Sequence, residues 1–308
     1  MESFIVTERC KTLRMLSREA LRGRWGLAIK AFLVYYAMIN VPVFLLTAFF
    51  PTVGWISGLY ILFVEGPLVL GYSLFALNLF RNNEPKIEQM FYGFEKFSKA
   101  FRLLLMIGLL VILWSLPMIP GMLIVITVPW LFPILLLLMI PIVMACIRYS
   151  LAFFVLADHP EAGVMECISR SKALMAGNKM KYFLLQLSFI GWVLLAAVPS
   201  MLYQVFTIGS RQMVNMSINF DLSNTYVAPP EVTLITLLLT AGTAVVLAYT
   251  VTAYAAFYEM ASGNLRPGYI PSTAEVVEGQ PVEVVEGQQV EEQPVEGQQV
   301  EGQQDEEH

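Results

Sequence analysis

Residues 31–64 read AFLVYYAMINVPVFLLTAFFPTVGWISGLYILFV and contain no Asp, Glu, Lys or Arg. About 20 apolar residues are enough for a helix to cross a bilayer. This stretch therefore holds one complete span and the start of a second, which continues past Glu65 and stops at Arg81. Uncharged stretches recur at residues 103–147, 182–210 and 232–258. The sequence predicts an all-α, polytopic membrane protein.

Six spans account for these stretches. Residues 103–147 are long enough for two spans, with a break offered by Pro117 and by Pro120-Gly121. The predicted spans lie near residues 27–50, 55–80, 101–122, 133–157, 182–206 and 232–258. Threading them places 18 of the 19 Lys and Arg residues on one side and leaves Arg211 on the other. The positive-inside rule makes the first side cytoplasmic, so both termini are expected there.

Composition agrees with a membrane location and separates two regions. Hydrophobic residues make up 57% of the chain and charged residues 14%, against roughly 25% charged in soluble domains. Residues 275–308 hold eleven acidic and no basic residues, with Val-Glu-Gly-Gln units starting at positions 277, 285, 295 and 300. We expect a membrane domain over residues 1–262 and an acidic, disordered cytoplasmic tail over 263–308. The tail is either a solvated extension or a docking segment for a basic cytosolic protein. The first 25 residues lack the apolar core of a signal peptide, so the first span is expected to act as an uncleaved anchor.

A charged, helix-forming stretch precedes each pair of spans, at residues 7–22, 86–101 and 162–176. These are predicted to be cytoplasmic amphipathic helices followed by transmembrane hairpins. Glu95–Lys99 and Glu166–Arg170 have the spacing of i,i+4 ion pairs, and Gly177-Asn178 is typical of a helix C-cap. The aromatic stripe of residues 86–101 fits either a helix in the membrane interface or a face packed under the spans. The resulting units, 7–80, 86–157 and 162–258, are either internal repeats or simply hairpins that obey the same charge rule.

Two charged residues are predicted at membrane depth, Glu65 and Arg148. Each costs roughly 2.5 to 3.5 kcal/mol there and needs a partner or water. They could pair with each other, make separate structural contacts, or line a substrate or proton pathway, unless a span boundary is misplaced. Gly66-Pro67 beside Glu65 either packs a close helix crossing or lines a cavity. Basic and aromatic residues at span entries are candidate contacts for anionic lipid headgroups: Arg18, Arg22, Arg24, Trp25, Lys99, Arg102, Lys179 and Lys181.

Enzymatic and metal-binding motifs are absent from the sequence. Neither a metalloprotease, hydrolase, nucleotide-binding nor dinucleotide-binding signature occurs. Cys10, Cys146 and Cys167 have no CxxC spacing, and the chain has two histidines. Asp158-His159-Pro160 is interpreted as a helix stop, and the Asn-Met-Ser sequon at residues 215–217 matters only in a host that glycosylates. We expect no enzyme activity, metal, cofactor or nucleic-acid partner.

Several local motifs resemble a bacterial integral membrane family catalogued as domain of unknown function 975. The most specific is SRSKALMAGNK at residues 169–179, followed by LSFIGW at residues 187–192. Others are REALRGRWG (18–26), MFYGF (90–94), IPG (119–121) and AFYE (256–259). Met90-Phe91-Tyr92 departs mildly from the Leu-Phe that usually precedes Gly-Phe in this family. The resemblance covers roughly residues 14–262 and implies location and topology, because the family has no established activity.

Two functions are consistent with these features. The leading hypothesis is a non-enzymatic organising or adaptor protein of the bacterial plasma membrane, acting through its inner-face helices and acidic tail. The alternative is a small-molecule or lipid transporter or channel that uses Glu65 and Arg148. A polar cavity joining these two residues would favour transport.

Overall fold

A computed structural model describes residues 4–50, 54–127, 130, 132–215, 235, 238–239 and 243–265. Over these residues the chain is helical and contains no strand. The predicted tail from residue 266 onward, the sequon's Met216 and Ser217, and most of the loop at 207–231 lie outside the described residues. The helices are α1 (Cys10–Leu21), α2 (Trp25–Phe49), α3 (Gly54–Arg81), a 3-10 helix (Ile87–Phe91), α4 (Tyr92–Glu95), α5 (Phe97–Ser115), α6 (Met118–Thr127), α7 (Phe132–Tyr149), α8 (Ala152–Asp158), α9 (Val164–Leu174), α10 (Lys179–Asn215) and α11 (Ala244–Ala261).

The six predicted spans are confirmed as six helical segments long and apolar enough to cross a membrane. These are Trp25–Phe49, Trp55–Arg81, Phe97–Ser115, Leu136–Asp158, Lys179–Thr207 and Ala244–Ala261. The third ends earlier than predicted, because the break falls at residues 116–117, just after α5. Of the two positions offered for this break, Pro117 is confirmed, whereas Pro120 lies in the first turn of α6, where a helix needs no backbone N–H donor. Helix α10 continues to Asn215, beyond the predicted end of its span at residue 206.

The spans form an outer and an inner set. In the outer helices α2, α5 and α10, 6%, 11% and 17% of the most apolar window is buried within the protein. In the inner helices α3, α7–α8 and α11 the corresponding shares are 50%, 33% and 67%. A helix that is apolar all round but little buried must face lipid. The outer helices therefore form the lipid-facing surface around the inner three.

Neighbouring spans contact one another in a closed order. Helix α2 packs on α3, α3 on α5, α5 on α7, α7 on α10, and α10 on α11. Helix α11 then packs back on α2, and the inner helices α3 and α8 and α3 and α11 also contact each other. The six spans thus form one closed cycle of neighbours.

The charged stretches before the hairpins are helical in two cases out of three. Helices α1 and α9 lie within the predicted 7–22 and 162–176 ranges, and the Glu166–Arg170 pair is confirmed at 2.6 Å. The predicted helix over 86–101 was wrong in detail, since a 3-10 helix and one turn of α-helix precede α5. Close packing on α3 explains the break, because a Cβ built on Gly93 would overlap the Pro67 carbonyl oxygen.

The aromatic stripe of that stretch is divided between two environments. Met90 is fully buried against the bundle, whereas Phe91 and Phe97 are 46% and 37% exposed. The packed interpretation of the stripe is therefore confirmed for Met90, and a position in the membrane interface stays a prediction for the exposed phenylalanines. The predicted Glu95–Lys99 pair is absent from the ion pairs of the described residues, since the Lys99 ammonium donates instead to the backbone carbonyls of Pro160 (2.5 Å) and Glu161 (3.2 Å).

Candidate functional site

The inner helices end in three charged residues that meet. Arg81 is the last residue of α3, and Asp158 is the last residue of α8. Glu259 lies two residues before the last residue of α11. Each directly follows an apolar run. A charged side chain costs less free energy at the end of a span than within the hydrocarbon. We call these three residues the Arg81 cluster, and the end of the bundle where they lie the basic end.

Arg81 joins the two carboxylates through separate atoms of its guanidinium. Nη1 lies 2.7 Å from Asp158 Oδ1, and Nη2 lies 2.7 Å from Glu259 Oε1. Nε donates a further hydrogen bond of 2.8 Å to the same Glu259 oxygen. The planar fork of arginine suits such contacts, which lysine could not reproduce. One side chain thus ties α8 and α11 to α3.

Two further side chains complete the surroundings of Asp158. The Tyr258 hydroxyl donates a 3.0 Å hydrogen bond to Asp158 Oδ2, and the Tyr258 ring stacks on Phe154 at a centroid distance of 5.9 Å. His159 Nε2 lies 3.6 Å from the same carboxylate oxygen, is buried, and has no hydrogen-bond partner among the described residues.

The cluster is largely shielded from solvent. The side chains of Arg81, Asp158 and Glu259 are 28%, 12% and 5% exposed. Two carboxylates at this depth need a cation, so removing Arg81 would leave both uncompensated.

Glu65 and Arg148, the two residues predicted at membrane depth, do not form an ion pair with each other in the described part of the chain. Instead, the Arg148 guanidinium lies 5.7 Å from the centre of the Trp114 ring, and its backbone carbonyl accepts a 2.9 Å hydrogen bond from Ser171. Glu65 is half-buried on α3. Gly66 lies at a close crossing of α3 and α5, which was one of the two interpretations of Gly66-Pro67. A Cβ built on Gly66 would lie 3.0 Å from the Ala100 carbonyl oxygen.

The predicted headgroup residues divide by their contacts. Arg18, Arg22 and Arg102 are exposed, and Arg24, Trp25, Lys99, Lys179 and Lys181 are half-buried. Several of these donate within the protein: Lys99 to the α8–α9 loop, Lys181 to the Thr7 carbonyl at 3.3 Å, and Arg102 to the Ser98 carbonyl at 3.0 Å. Trp25 packs on Tyr249, with ring centroids 6.0 Å apart. These three cations are therefore engaged with the protein itself.

The cysteines belong to no metal-binding group among the described residues. In the ranges that the structure describes, no group of three or more His, Cys, Asp or Glu side chains is placed to hold a metal ion. All three cysteines are free thiols. Burial, followed by the nearby Glu166 carboxylate, raises the pKa of the Cys167 thiol. A thiol with a raised pKa stays protonated and is a poor nucleophile.

Sequence reasoning did not predict the Arg81 cluster. It interpreted Arg81 as the end of a span and Asp158-His159-Pro160 as a helix stop. A usable signal was present, since residues 81, 158 and 259 each come directly after predicted spans that end at 80, 157 and 258. Equivalent positions at the ends of parallel helices are candidates for contact. Which of them meet depends on helix packing.

The six apolar helices define the class, a multi-pass helical membrane protein. The family is defined by the match of residues 7–264 to the model of the protein family of unknown function DUF975. This chain belongs to that family. Comparison with curated proteins and with solved structures gave no match.

Proposed function

We propose that the protein is a non-enzymatic organiser or adaptor of the bacterial plasma membrane. The observation that carries this proposal is the packing of the inner helices on one another at the basic end. The Arg81 cluster ties the inner helices together there, and α11 buries a series of small residues against its neighbours: Ala244, Ala248, Ala253, Ala255, Ala256 and Ala261. Small residues allow close helix approach in membranes. A packed bundle of this kind suits a fixed platform better than a passage.

The platform is proposed to face the cytoplasm with its basic end, with both termini on that side. The positive-inside rule supports this orientation. The three pairs of spans would then form hairpins, each entered from a cytoplasmic surface segment. Reporter fusions at residue 308 and within residues 82–101 should report the same side of the membrane. Reporters on opposite sides would contradict the proposed topology.

Two kinds of partner fit this arrangement. Helix α1 buries Leu13, Leu16 and Leu21 against the bundle, while Arg18 on this helix and Arg22 directly after it are exposed. Exposed cations beside a span entry attract anionic headgroups by about 1 kcal/mol each. The acidic tail, in contrast, would suit a basic cytosolic protein. The adaptor role would connect these two.

A transporter or channel is the second candidate. The observation that favours it is Glu65, a half-buried residue of α3 at membrane depth for which no ion pair occurs among the described residues. An intramembrane carboxyl group without a partner marks an ion or substrate pathway in many membrane proteins. Its conservative variant, Glu65→Gln, keeps size and hydrogen bonding while removing the charge.

Flux measurements in proteoliposomes distinguish the organiser from the transporter or channel. The purified full chain is reconstituted, and protein-dependent fluxes of protons, small ions, small organic solutes and fluorescent lipids are measured beside empty vesicles. The organiser proposal expects no protein-dependent flux and no effect of Glu65→Gln. A flux that Glu65→Gln abolishes, with Glu88→Gln on the exposed surface as the matched control, would replace the organiser with the transporter. Turnover of the lipids themselves would indicate an enzyme.

A further inference from the structure

The three surface segments pack in a cyclic order. The 3-10 helix and α4, which precede the second hairpin, lie on α3 of the first. Helix α9, which precedes the third hairpin, lies on α8 of the second. Helix α1, which precedes the first hairpin, lies on α11 of the third. Each segment thus contacts the inner helix of the unit before it, and the first unit follows the third.

The N-terminal residues complete this cycle without a covalent link. Five residues, 82–86, connect α3 to the 3-10 helix, and five, 159–163, connect α8 to α9. The five residues before α1 are 5–9, and they start beside the end of α11, where the Phe4 N–H donates to the Ala261 carbonyl at 3.0 Å. Residues 4–9, here the N-terminal strap, therefore occupy the place that a covalent loop has in the other two units.

Asn178 holds the strap at its other edge. Its Oδ1 accepts a 2.8 Å hydrogen bond from the Val6 N–H, and its Nδ2 donates at 2.8 Å to the Phe4 carbonyl. The side chain is fully buried. Because Asn178 belongs to the third unit and the strap to the first, this contact joins the two ends of the cycle.

The first and third units also share a local motif. Ser17 and Ser171 are fully buried on α1 and α9, and each lies six residues before a glycine with positive φ, Gly23 (75°) and Gly177 (81°). The following span begins two residues after the glycine in both, at Trp25 and at Lys179. The second unit lacks this glycine, since its surface segment passes into α5 through Lys96.

We propose that the three units are internal repeats closed into a ring, and that the Arg81 cluster is the ion-pair clasp that holds the inner helices together at the centre of its basic end. The ends of the inner helices of the three units supply one arginine and two carboxylates. The arginine can therefore bind both carboxylates at once and hold the three helix ends together. Opening the clasp separates the ends of α3, α8 and α11. This inference is independent of the organiser role, since a transporter could be closed in the same way.

Ring closure predicts that the chain tolerates a new starting point. A permuted chain that opens within residues 82–86 and joins residue 265 to residue 4 by a short linker keeps all six spans and places both new termini on the original side. It is expected to insert and to melt within a few degrees of a chain ending at residue 265. A permuted chain that inserts but has lost the ion pairs of the Arg81 cluster would overturn the ring.

Distances between spin labels test the clasp. Labels at Asn83 and Glu161 follow the ends of α3 and α8, and a label at Thr7 follows the strap, which is bonded to the end of α11 through the Phe4 N–H and the Ala261 carbonyl. All three positions are exposed, and the three cysteines are replaced in this background. In nanodiscs each pair of labels is expected to give a single narrow distance distribution. Arg81→Gln is expected to broaden or lengthen all three. Glu166→Gln, which breaks the exposed pair to Arg170, is the matched control and should change none.

A milder variant keeps the test decisive if Arg81→Gln does not accumulate in the membrane. Asp158→Asn removes one of the two carboxylates and leaves the Arg81–Glu259 pair. It is expected to widen the 83–161 distance and to leave the 83–7 distance unchanged. Distributions in Arg81→Gln, or in Asp158→Asn at 83–161, that match the parent protein would overturn the clasp.

Discussion

Gly71 offers the sharpest test of how the bundle is packed. It lies within α3, and a Cβ built on it would overlap the backbone carbonyl oxygen of Met90, with the Met90 carbonyl carbon and Cα also inside contact distance. Met90 is fully buried, so its backbone has little room to move. The Gly71→Ala variant must therefore displace the 3-10 helix from α3.

The expected cost follows from two opposing effects. Overpacking a core that cannot relax costs about 3 kcal/mol, while alanine in place of glycine favours a helix by about 1 kcal/mol. The net loss of about 2 kcal/mol lowers the melting temperature by about 4 to 8 °C, on the scale of domains of this size. Gly58 is the matched control, since it lies in the same helix and its Cβ would meet nothing within 4 Å.

Thermal unfolding of the purified protein in one detergent, followed by size exclusion after heating, measures both variants. Gly58→Ala should melt at or slightly above the temperature of the parent protein. Gly71→Ala should melt below it. If Gly71→Ala is as stable as Gly58→Ala, the close contact between α3 and the 3-10 helix is wrong, and with it the packing of the second unit on the first.

Three further predictions concern the basic end. Arg81→Gln leaves two shielded carboxylates without a cation and should lower stability by about 3 kcal/mol, whereas Arg170→Gln, at an exposed pair, should cost about 0.5 kcal/mol; equal melting temperatures for the two variants would contradict this. Asn178→Ala removes the hydrogen bonds that hold the strap and should let a protease cleave before α1 at an increased rate, which an unchanged cleavage pattern would refute. Burial raises the pKa of the Cys167 thiol. Maleimide should therefore modify Cys167 at least tenfold more slowly than the half-exposed Cys10 between pH 7 and pH 8. Comparable modification rates for the two thiols would contradict this prediction.

The clasp also changes how the charged residues of the chain are interpreted. A count of charges treats Arg81 as one member of the basic rim that orients the protein. Its contacts show a different role, since its guanidinium is occupied by Asp158 and Glu259 and is withdrawn from headgroups. Lys99 and Lys181 are likewise engaged with backbone carbonyls. The exposed Arg18 and Arg22 are better placed than these three residues to meet a membrane surface or a partner.

The number and approximate position of the spans were determined by the sequence alone, because the free energy of moving a helix into hydrocarbon depends on its own composition and length. Local signals were also sufficient for the positive φ of Gly177 and for the Glu166–Arg170 pair, which depend on residues close in the chain. The break after Ser115 and the short helices at 87–95 were harder, since proline position and the contact of Gly93 with α3 decide them.

Only the tertiary structure decided which charges meet. Positions along the helices placed Glu65 and Arg148 at membrane depth and left their pairing open, because depth says nothing about the direction in which a side chain points. Arg81, Asp158 and Glu259 are separated by 77 and 101 positions in the chain, and they join because α3, α8 and α11 are the inner helices. The choice of inner and outer helices depends on close contacts between side chains of different spans, since lipid and protein interiors are equally apolar and hydrophobicity cannot distinguish them.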